Sequence, residues 1–451
     1  MKEFLSFYIN GFKNGDWITR LSYLVMGAGS FLRKQYAKGM TLLGFQIAYI
    51  YYMFSSGFSR IVGLKTLGTV EQGKVFDEAQ GIYLYPQGDN SMLFLLFGVL
   101  AIFITMGIIL LYFKNVQSAV KNQEDVEANK PLKTFRQEIK DLLDSKFHIT
   151  ILSLPTILTF LFTILPLVFM ILIAFTNFDK NHQPPGNLFT WVGLVNFKNM
   201  FYGNKLISKT FYSLAAWTMT WAFFATFLNY IFGMLLAMLI NKKGIKIKKF
   251  WRTIFVITIA VPQFVSLLLM SQLLHELGPV NVLLQKYGIV DSAIRFLTNG
   301  TNAKITVILV NLWVGVPYTM LITTGILMNI PKDMYESAKI DGAGPVTQFF
   351  KITLPYMLAV TTPYLITQFI GNINNFNVIY LLTGGGPLTL NYFQAGETDL
   401  LVTWLYKLSM TEKNYALASS VGIIIFVISA TLSLVVFRRA TAEGKETEFQ
   451  W

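Results

Sequence analysis

An all-α, polytopic membrane protein with about eight transmembrane helices is the fold class this sequence predicts, and three observations predict it. Hydrophobic residues make up 53% of the 451 positions and charged residues only 14%, where a soluble domain carries about 25% charged residues. Eight segments each approach the roughly twenty apolar residues that a bilayer requires. Lysine and arginine gather in alternate connections between those segments, as the positive-inside rule demands. The net charge of +13 is therefore mostly topology. A nucleic-acid partner would need a basic soluble domain, and the sequence has none.

In chain order, the spans fall at 39–58, 91–113, 149–175, 211–240, 253–274, 305–329, 356–382 and 415–437. Before them, Lys2, Lys13, Arg20, Arg33, Lys34 and Lys38 mark a cytoplasmic N-terminus. No signal peptide is visible there, because no uninterrupted apolar core precedes a small-residue cleavage site. Residues 17–32 read as an interfacial helix. The loop 59–90 is external, and Val75, Ile82, Tyr83 and Tyr85 are expected to pack there as a small cap. The connector 114–147 is polar and cytoplasmic, with a helix expected over Leu132 to Leu143. Lys242, Lys243, Lys246, Lys248, Lys249 and Arg252 place the fourth-to-fifth turn on the same side, and Arg438, Arg439 and Lys445 place the C-terminus there. External loops then fall at 176–210, 275–304 and 383–414.

Several function classes lose their footing. There is no cysteine, and His148, His182 and His275 lie too far apart to share a metal. The spans hold no Asp, Glu, Lys or Arg, whereas ion-coupled carriers usually need an ionisable residue or ion ligands at membrane depth. A phosphate-cradling loop needs a lysine followed by serine or threonine. Gly384-Gly385-Gly386-Pro387 has no such lysine, and Gly444-Lys445 is followed by Glu446. No catalytic constellation or cofactor site emerges, so any energy source must be another chain.

Between the sixth and seventh spans lies YESAKIDGAGPVTQFFKITLP, Tyr335 to Pro355. Pro331, Asp333 and Glu336 suit the opening turn of a short helix, since proline fixes φ and acids complement the N-terminal dipole. Asp341-Gly342-Ala343-Gly344-Pro345 stops that helix, because glycine tolerates left-handed φ and proline cannot continue it. Val346 to Ile352 is expected to form a second short helix, with Leu354-Pro355 leading into the next span. Two short helices around a glycine turn make a shape suited to a groove on a soluble partner.

Two spans carry unusual residues at mid-depth. The sixth reads Asn311-Leu312-Trp313-Val314-Gly315-Val316-Pro317-Tyr318. Pro317 leaves a carbonyl without its amide, which is tolerated where protein or a wet cavity satisfies it. Trp313 and Tyr318 offer flat apolar faces with polar tips, matching the C–H face and hydroxyl rim of a sugar ring. In the seventh, Gln368, Asn372 and Asn375 fall at i, i+4 and i+7 and so share a helix face. Carboxamides donate and accept, which suits hydroxyls, and they also glue membrane helices together. Spacing alone leaves both readings open.

The loop resembles the E-A-A-x-x-x-G-x9-I-x-L-P signature of ABC importer permeases. It is matched here by Glu336, Ser337, Ala338, Gly342, Ile352, Leu354 and Pro355, with serine in place of the first alanine. From about residue 150 to 440, NLWVGVPY, IPKDMYESAKIDGAGP, FFKITLP, NINNFN and LLTGGGP look like the larger permease subunits of bacterial maltose/maltodextrin importers. The resemblance implies the type I ABC importer permease fold in the cell membrane of a bacterium, with both termini cytoplasmic. It divides the chain into 1–148, with two extra spans; a six-helix core, 149–440, with its coupling loop at 331–355; and a cytoplasmic tail, 441–451. It implies a second, related permease, two ATP-binding cassette subunits gripping the coupling loops, an extracellular solute-binding protein, and a setting in membrane lipid. A neutral oligosaccharide, maltodextrin first, would lie against Trp313, Val314, Gly315, Tyr318, Gln368, Gly371, Asn372 and Asn375. The family often has serine at Gln368 and phenylalanine at Gly371, so the sugar pocket is expected to differ in shape. The same architecture serving another oligosaccharide or a sugar alcohol is the alternative, and an ion-coupled carrier or a membrane glycosyltransferase would be a different class. The loop Thr383 to Pro387 reads as a flexible contact for the binding protein or as a plain turn.

Overall fold

The structure is a computed structural model that describes residues 2–84, 87–242 and 244–448. The chain forms two compact units, Met1–Val192 and Gly193–Trp451. Among the described residues, six helices are long and apolar enough to cross a membrane: Ser91–Glu127, Phe147–Ile173, Lys205–Asn241, Gly300–Leu327, Pro345–Ile373 and Tyr415–Val436. A pair bent by 89°, Lys248–Ala260 and Gln263–Leu273, makes a seventh if it counts as one span. The expected first span is also helical, running from Tyr36–Tyr52 through a π-turn at Met53–Gly57 into Phe58–Gly63. It falls short of the others in apolarity because Gln46, Tyr49, Tyr51, Tyr52, Ser55 and Ser56 dilute it.

In the first unit, helix Ser91–Glu127 starts where the Asn90 side chain accepts from the amides of Met92 and Leu93. It runs well past the apolar stretch, and its polar end organises the N-terminus. Asn115 donates to the Ser22 carbonyl at 2.9 Å and accepts from the Gly27 amide at 2.9 Å. Asn122 donates to the Gln35 side chain at 2.9 Å. Arg33 pairs with Asp16 at 2.9 Å and donates to the Ala119 carbonyl. These bonds break the expected single helix over 17–32 into two, Trp17–Leu21 and Ala28–Leu32. The connector helix is Phe135–Leu143, opened by a Thr134–Gln137 capping box.

The loop expected over residues 59–90 includes a hairpin, Val75–Asp77 with Ile82–Leu84. Ile82 and Tyr83 are about half exposed, so the expected packed cap does not form around them. Tyr85 and the side chain of Val75 lie outside the described residues. Helix Phe147–Ile173, assigned from the sequence to the permease core, lies in this unit.

The second unit is built on Lys205–Asn241, which packs most extensively against Gly300–Leu327 and next against Leu354–Ile373. Trp217, Trp221, Val307, Val310, Val378 and Ile379 form one buried cluster of its core. The seventh span is not one helix. It stops at Ile373, and Asn375 caps a new helix, Phe376–Thr383, by accepting from the Val378 amide at 3.2 Å.

The loop 383–414 differs from expectation in being pinned rather than flexible. Thr398 donates to the Gly386 carbonyl at 2.5 Å, and the Glu397 amide to the Pro387 carbonyl at 2.9 Å. Beneath it lies a fully buried Asp399, ion-paired to Lys407 at 2.6 Å. Burial pushes the Asp399 carboxyl above the usual aspartate range, against the pull of Lys407 and the Gly396 amide. Gly385, at φ +77°, backs onto this pair so closely that a Cβ there would sit 1.9 Å from Asp399 Oδ1.

Candidate functional site: an uncharged cavity and an exposed loop

A cavity of ≈ 550 Å³ opens in the second unit among Lys205–Asn241, the bent pair, Gly300–Leu327 and Leu354–Ile373. Its size lies within the few hundred to about 1,000 Å³ typical of small-molecule sites. Trp313, Val314, Gly315, Tyr318, Gln368, Asn372 and Asn375 all line it. Of the eight expected ligand residues only Gly371 does not; a Cβ there would meet no atom within 4 Å.

The lining has no Asp, Glu, Lys, Arg or His. It has six carboxamides: Asn229, Gln263, Asn311, Gln368, Asn372 and Asn375. They are not equivalent. Asn372 is buried and donates to Thr226 Oγ1 at 3.0 Å, while its carbonyl accepts from Trp221 Nε1 at 3.1 Å. Asn375 donates to Asn372 Oδ1 at 3.3 Å and caps the following helix. These two amides hold helices together and face the cavity at once. Because the helix breaks at Asn374, Asn375 reaches the cavity as a cap and not as the i+7 position of one helix face. Gln368, by contrast, is exposed.

Asn229 and Asn311 are the residues that spacing did not single out as ligands. The Oδ1 of Asn229 and the Nδ2 of Asn311 are buried without a hydrogen-bond partner among the described residues. Leaving a buried donor or acceptor unmet costs about 1–3 kcal/mol, and both residues border the cavity. Gly315 makes room for this arrangement: a Cβ there would lie 2.1 Å from Asn229 Nδ2. Trp313 and Tyr318 are 55% and 51% exposed, leaving rings free to stack. The bend at Val261-Pro262 also faces the cavity, where a broken helix is tolerated because its backbone can be solvated.

The loop between the sixth and seventh spans forms helix Lys332–Ile340, preceded by Pro331. Gly342 takes φ +78°, and the Ala343 amide returns to the Ala338 carbonyl at 2.8 Å. Glu336, Ser337, Asp341, Gly342 and Pro355 are exposed, while Ala338, Ile352 and Leu354 are half-buried. The expected second short helix is not separate: Pro345–Gln348 continues through a π-turn, Phe349–Thr353, into the next span. Tyr335 Oη meets Thr353 Oγ1 at 2.9 Å and ties the short helix to the base of that span. Ile340 and Val346 are 87% and 69% exposed, an apolar surface at the tip of a polar loop.

A family model described as binding-protein-dependent transport system inner membrane component matches residues 229–443, which include the loop and every cavity-lining residue except Ala225 and Thr226. The chain is 34% identical over 433 residues to a galactooligosaccharides transport system permease protein of Bacillus subtilis (strain 168), covering 95% of this chain and 99% of that protein. It is 33% identical over 433 residues to a maltodextrin transport system permease protein of Streptococcus pneumoniae serotype 4, covering 94% and 95%. Against a maltose/maltodextrin permease of Escherichia coli (strain K12), identity is 35% over 264 residues, 57% of this chain and 51% of that protein. A solved bacterial ABC transporter chain, involved in import of the acidic polysaccharide alginate, shares the fold with a TM-score of 0.53 at 21% identity, over 68% of this chain and 99% of that one.

Proposed function

The chain belongs to the binding-protein-dependent transport system inner membrane component family, and from that premise we propose that it conducts a neutral oligosaccharide, maltodextrin or a close relative, through the uncharged cavity beside Trp313 and Tyr318. As a member of that family it is a multi-pass membrane permease subunit and not an enzyme; ATP hydrolysis belongs to separate subunits.

The observation that carries the substrate class is the lining itself. Six carboxamides and two exposed aromatic rings, with no ionisable acid or base, suit hydroxyl groups and sugar faces. An anionic substrate would find no cation there. Trp313, Val314, Gly315, Tyr318, Gln368, Asn372 and Asn375 are assigned to the substrate, with Asn229 and Asn311 added. Relatives of near-equal identity are named for maltodextrin and for galactooligosaccharides, so both sugars are candidates within one chemistry.

The exposed loop carrying Glu336, Ser337, Ala338, Asp341, Gly342, Ile352, Leu354 and Pro355 is assigned to an ATPase subunit. A second, related permease completes the pathway, and an extracellular solute-binding protein delivers the sugar near the pinned turn at Gly384–Pro387. Both termini lie in the cytoplasm. Residues 149–440 form the permease core, preceded by two extra spans whose role is not assigned. ATP-driven closure of the ATPases moves the docking loops and turns the cavity from one face to the other.

A deletion strain complemented with this chain and its partners tests the substrate. Uptake of labelled maltooligosaccharides or galactooligosaccharides is expected, with a charged uronate oligomer refused. Efficient uptake of the uronate oligomer would contradict the reading.

A further inference from the structure

A second cavity, ≈ 450 Å³, opens between the end of helix Lys205–Asn241 and the segment that follows Pro331. Asn241, Lys242, Tyr335, Gln348 and Phe349 are among its lining residues, and none of the lining residues is acidic. The turn beside it carries Lys242, Lys246, Lys248, Lys249 and Arg252 among the described residues, and no acid occurs from 241 through 275.

Two of these cations are already committed. Lys248 Nζ donates to the Asn241 carbonyl at 2.7 Å, closing the end of the long helix, and Arg252 donates to the Asn241 side chain. Yet Arg252 Nε is buried with no partner among the described residues. Lys242, Lys246 and Lys249 are exposed. The helix that leaves this turn then presents Phe250, Ile254 and Ile257 at i, i+4 and i+7, which are 54%, 40% and 57% exposed. Lys242 at the cavity wall, exposed lysines on a turn without acids, and an apolar stripe rising from it match an anionic amphiphile.

We propose that this cavity and its basic turn hold the headgroup of an anionic phospholipid, with acyl chains lying along Phe250, Ile254 and Ile257. The stripe distinguishes a lipid from a free anion, because it runs up the bent pair of helices that crosses apolar surroundings. Occupancy would place a phosphate beside Tyr335 and Gln348, at the root of the loop assigned to the ATPase. That the lipid tunes coupling rests on the loop assignment; that it binds does not.

The test uses the full chain with its co-purifying subunits, delipidated in detergent and titrated with phosphatidylglycerol or phosphatidylcholine under native mass spectrometry. Each basic side chain near an anionic surface contributes about a fivefold gain in affinity. Lys242→Gln with Lys246→Gln should therefore cost about twenty-five-fold for phosphatidylglycerol, with melting temperature in detergent unchanged. Lys242→Gln alone should cost about fivefold, and it reads the same site if the double variant fails to assemble. Equal retention of phosphatidylcholine, unchanged affinity in the variants, or full competition by inorganic phosphate at matched concentration would overturn the proposal. Intact lipid selectivity with an uncoupled ATPase in Gly342→Asp would leave the lipid site standing and bear only on the loop.

Discussion

Asn229 and Asn311 border the cavity with a buried, unpaired amide oxygen and amide nitrogen, and their energetics differ from those of Asn372. Truncating a side chain whose polar atom already lacks a partner removes little from the folded state. Asn311→Ala and Asn229→Ala should thus keep the melting temperature while weakening sugar transport, each by about 0.5–1.5 kcal/mol of lost hydrogen bonding. Trp313→Ala should act likewise through its lost stacking face, worth a similar amount. Asn372→Ala should do both kinds of damage, because it strands Thr226 on the neighbouring helix. A drop in melting temperature for Asn311→Ala, with substrate preference unchanged, would assign that amide to helix packing instead. Asn311 stood in the sequence motif beside Trp313, and its neighbours marked the span as unusual. Asn229 left no such sign, since it sits alone in a long apolar run and only the close approach of Gly315 shows its role. Gly371 lies within the helix Leu354–Ile373 but is not among the cavity-lining residues, which periodicity alone did not show.

The docking loop was legible as an element because its signals are local. Proline opens it, and a left-handed glycine turns it at φ +78°. What the sequence concealed was continuity: the short helix expected over Val346 to Ile352 runs through a π-turn, Phe349–Thr353, directly into the next span. A Cβ at Gly342 would meet nothing within 4 Å, so Gly342→Asp should cost only the left-handed strain, about 1–2 kcal/mol. It should reach the membrane and fail to couple ATPase activity to uptake; wild-type uptake in that variant would remove the loop's assigned role. The external turn behaves oppositely. Lys407→Met leaves Asp399 buried and unpaired, which should cost about 3–5 kcal/mol. Asp399→Asn in the same chain should recover much of that loss, as urea or thermal unfolding would read. Equal losses in the single and double variants would show that the ion pair does not hold the turn. Two residues eight apart in a loop give no sequence sign of such a pair.

For the whole molecule, hydropathy and charge were enough to read the class, because lipid leaves the backbone few choices. They were less reliable for counting spans: tyrosines lower the apolarity of the helical run from Tyr36 to Gly63, and Val261-Pro262 bends another span by 89°. The basic loops carry the proposed orientation, and labelling tests it. Cysteines at Lys246 and Ser337 should be labelled only from the cytoplasm, and one at the fully exposed Leu390 only from outside. Gly385 is a poor reporter, since any side chain there strikes Asp399. Labelling of Ser337 from outside intact cells would invert the topology and separate the docking loop from ATP. The central claim is that this chain carries sugar across the membrane but draws its energy from another subunit. Proteoliposomes containing the chain, a second permease, the ATPase subunits and the binding protein should take up labelled maltooligosaccharide or galactooligosaccharide only when ATP is supplied on the ATPase side. Uptake by this chain alone, driven by a proton or sodium gradient without ATP, would contradict the account.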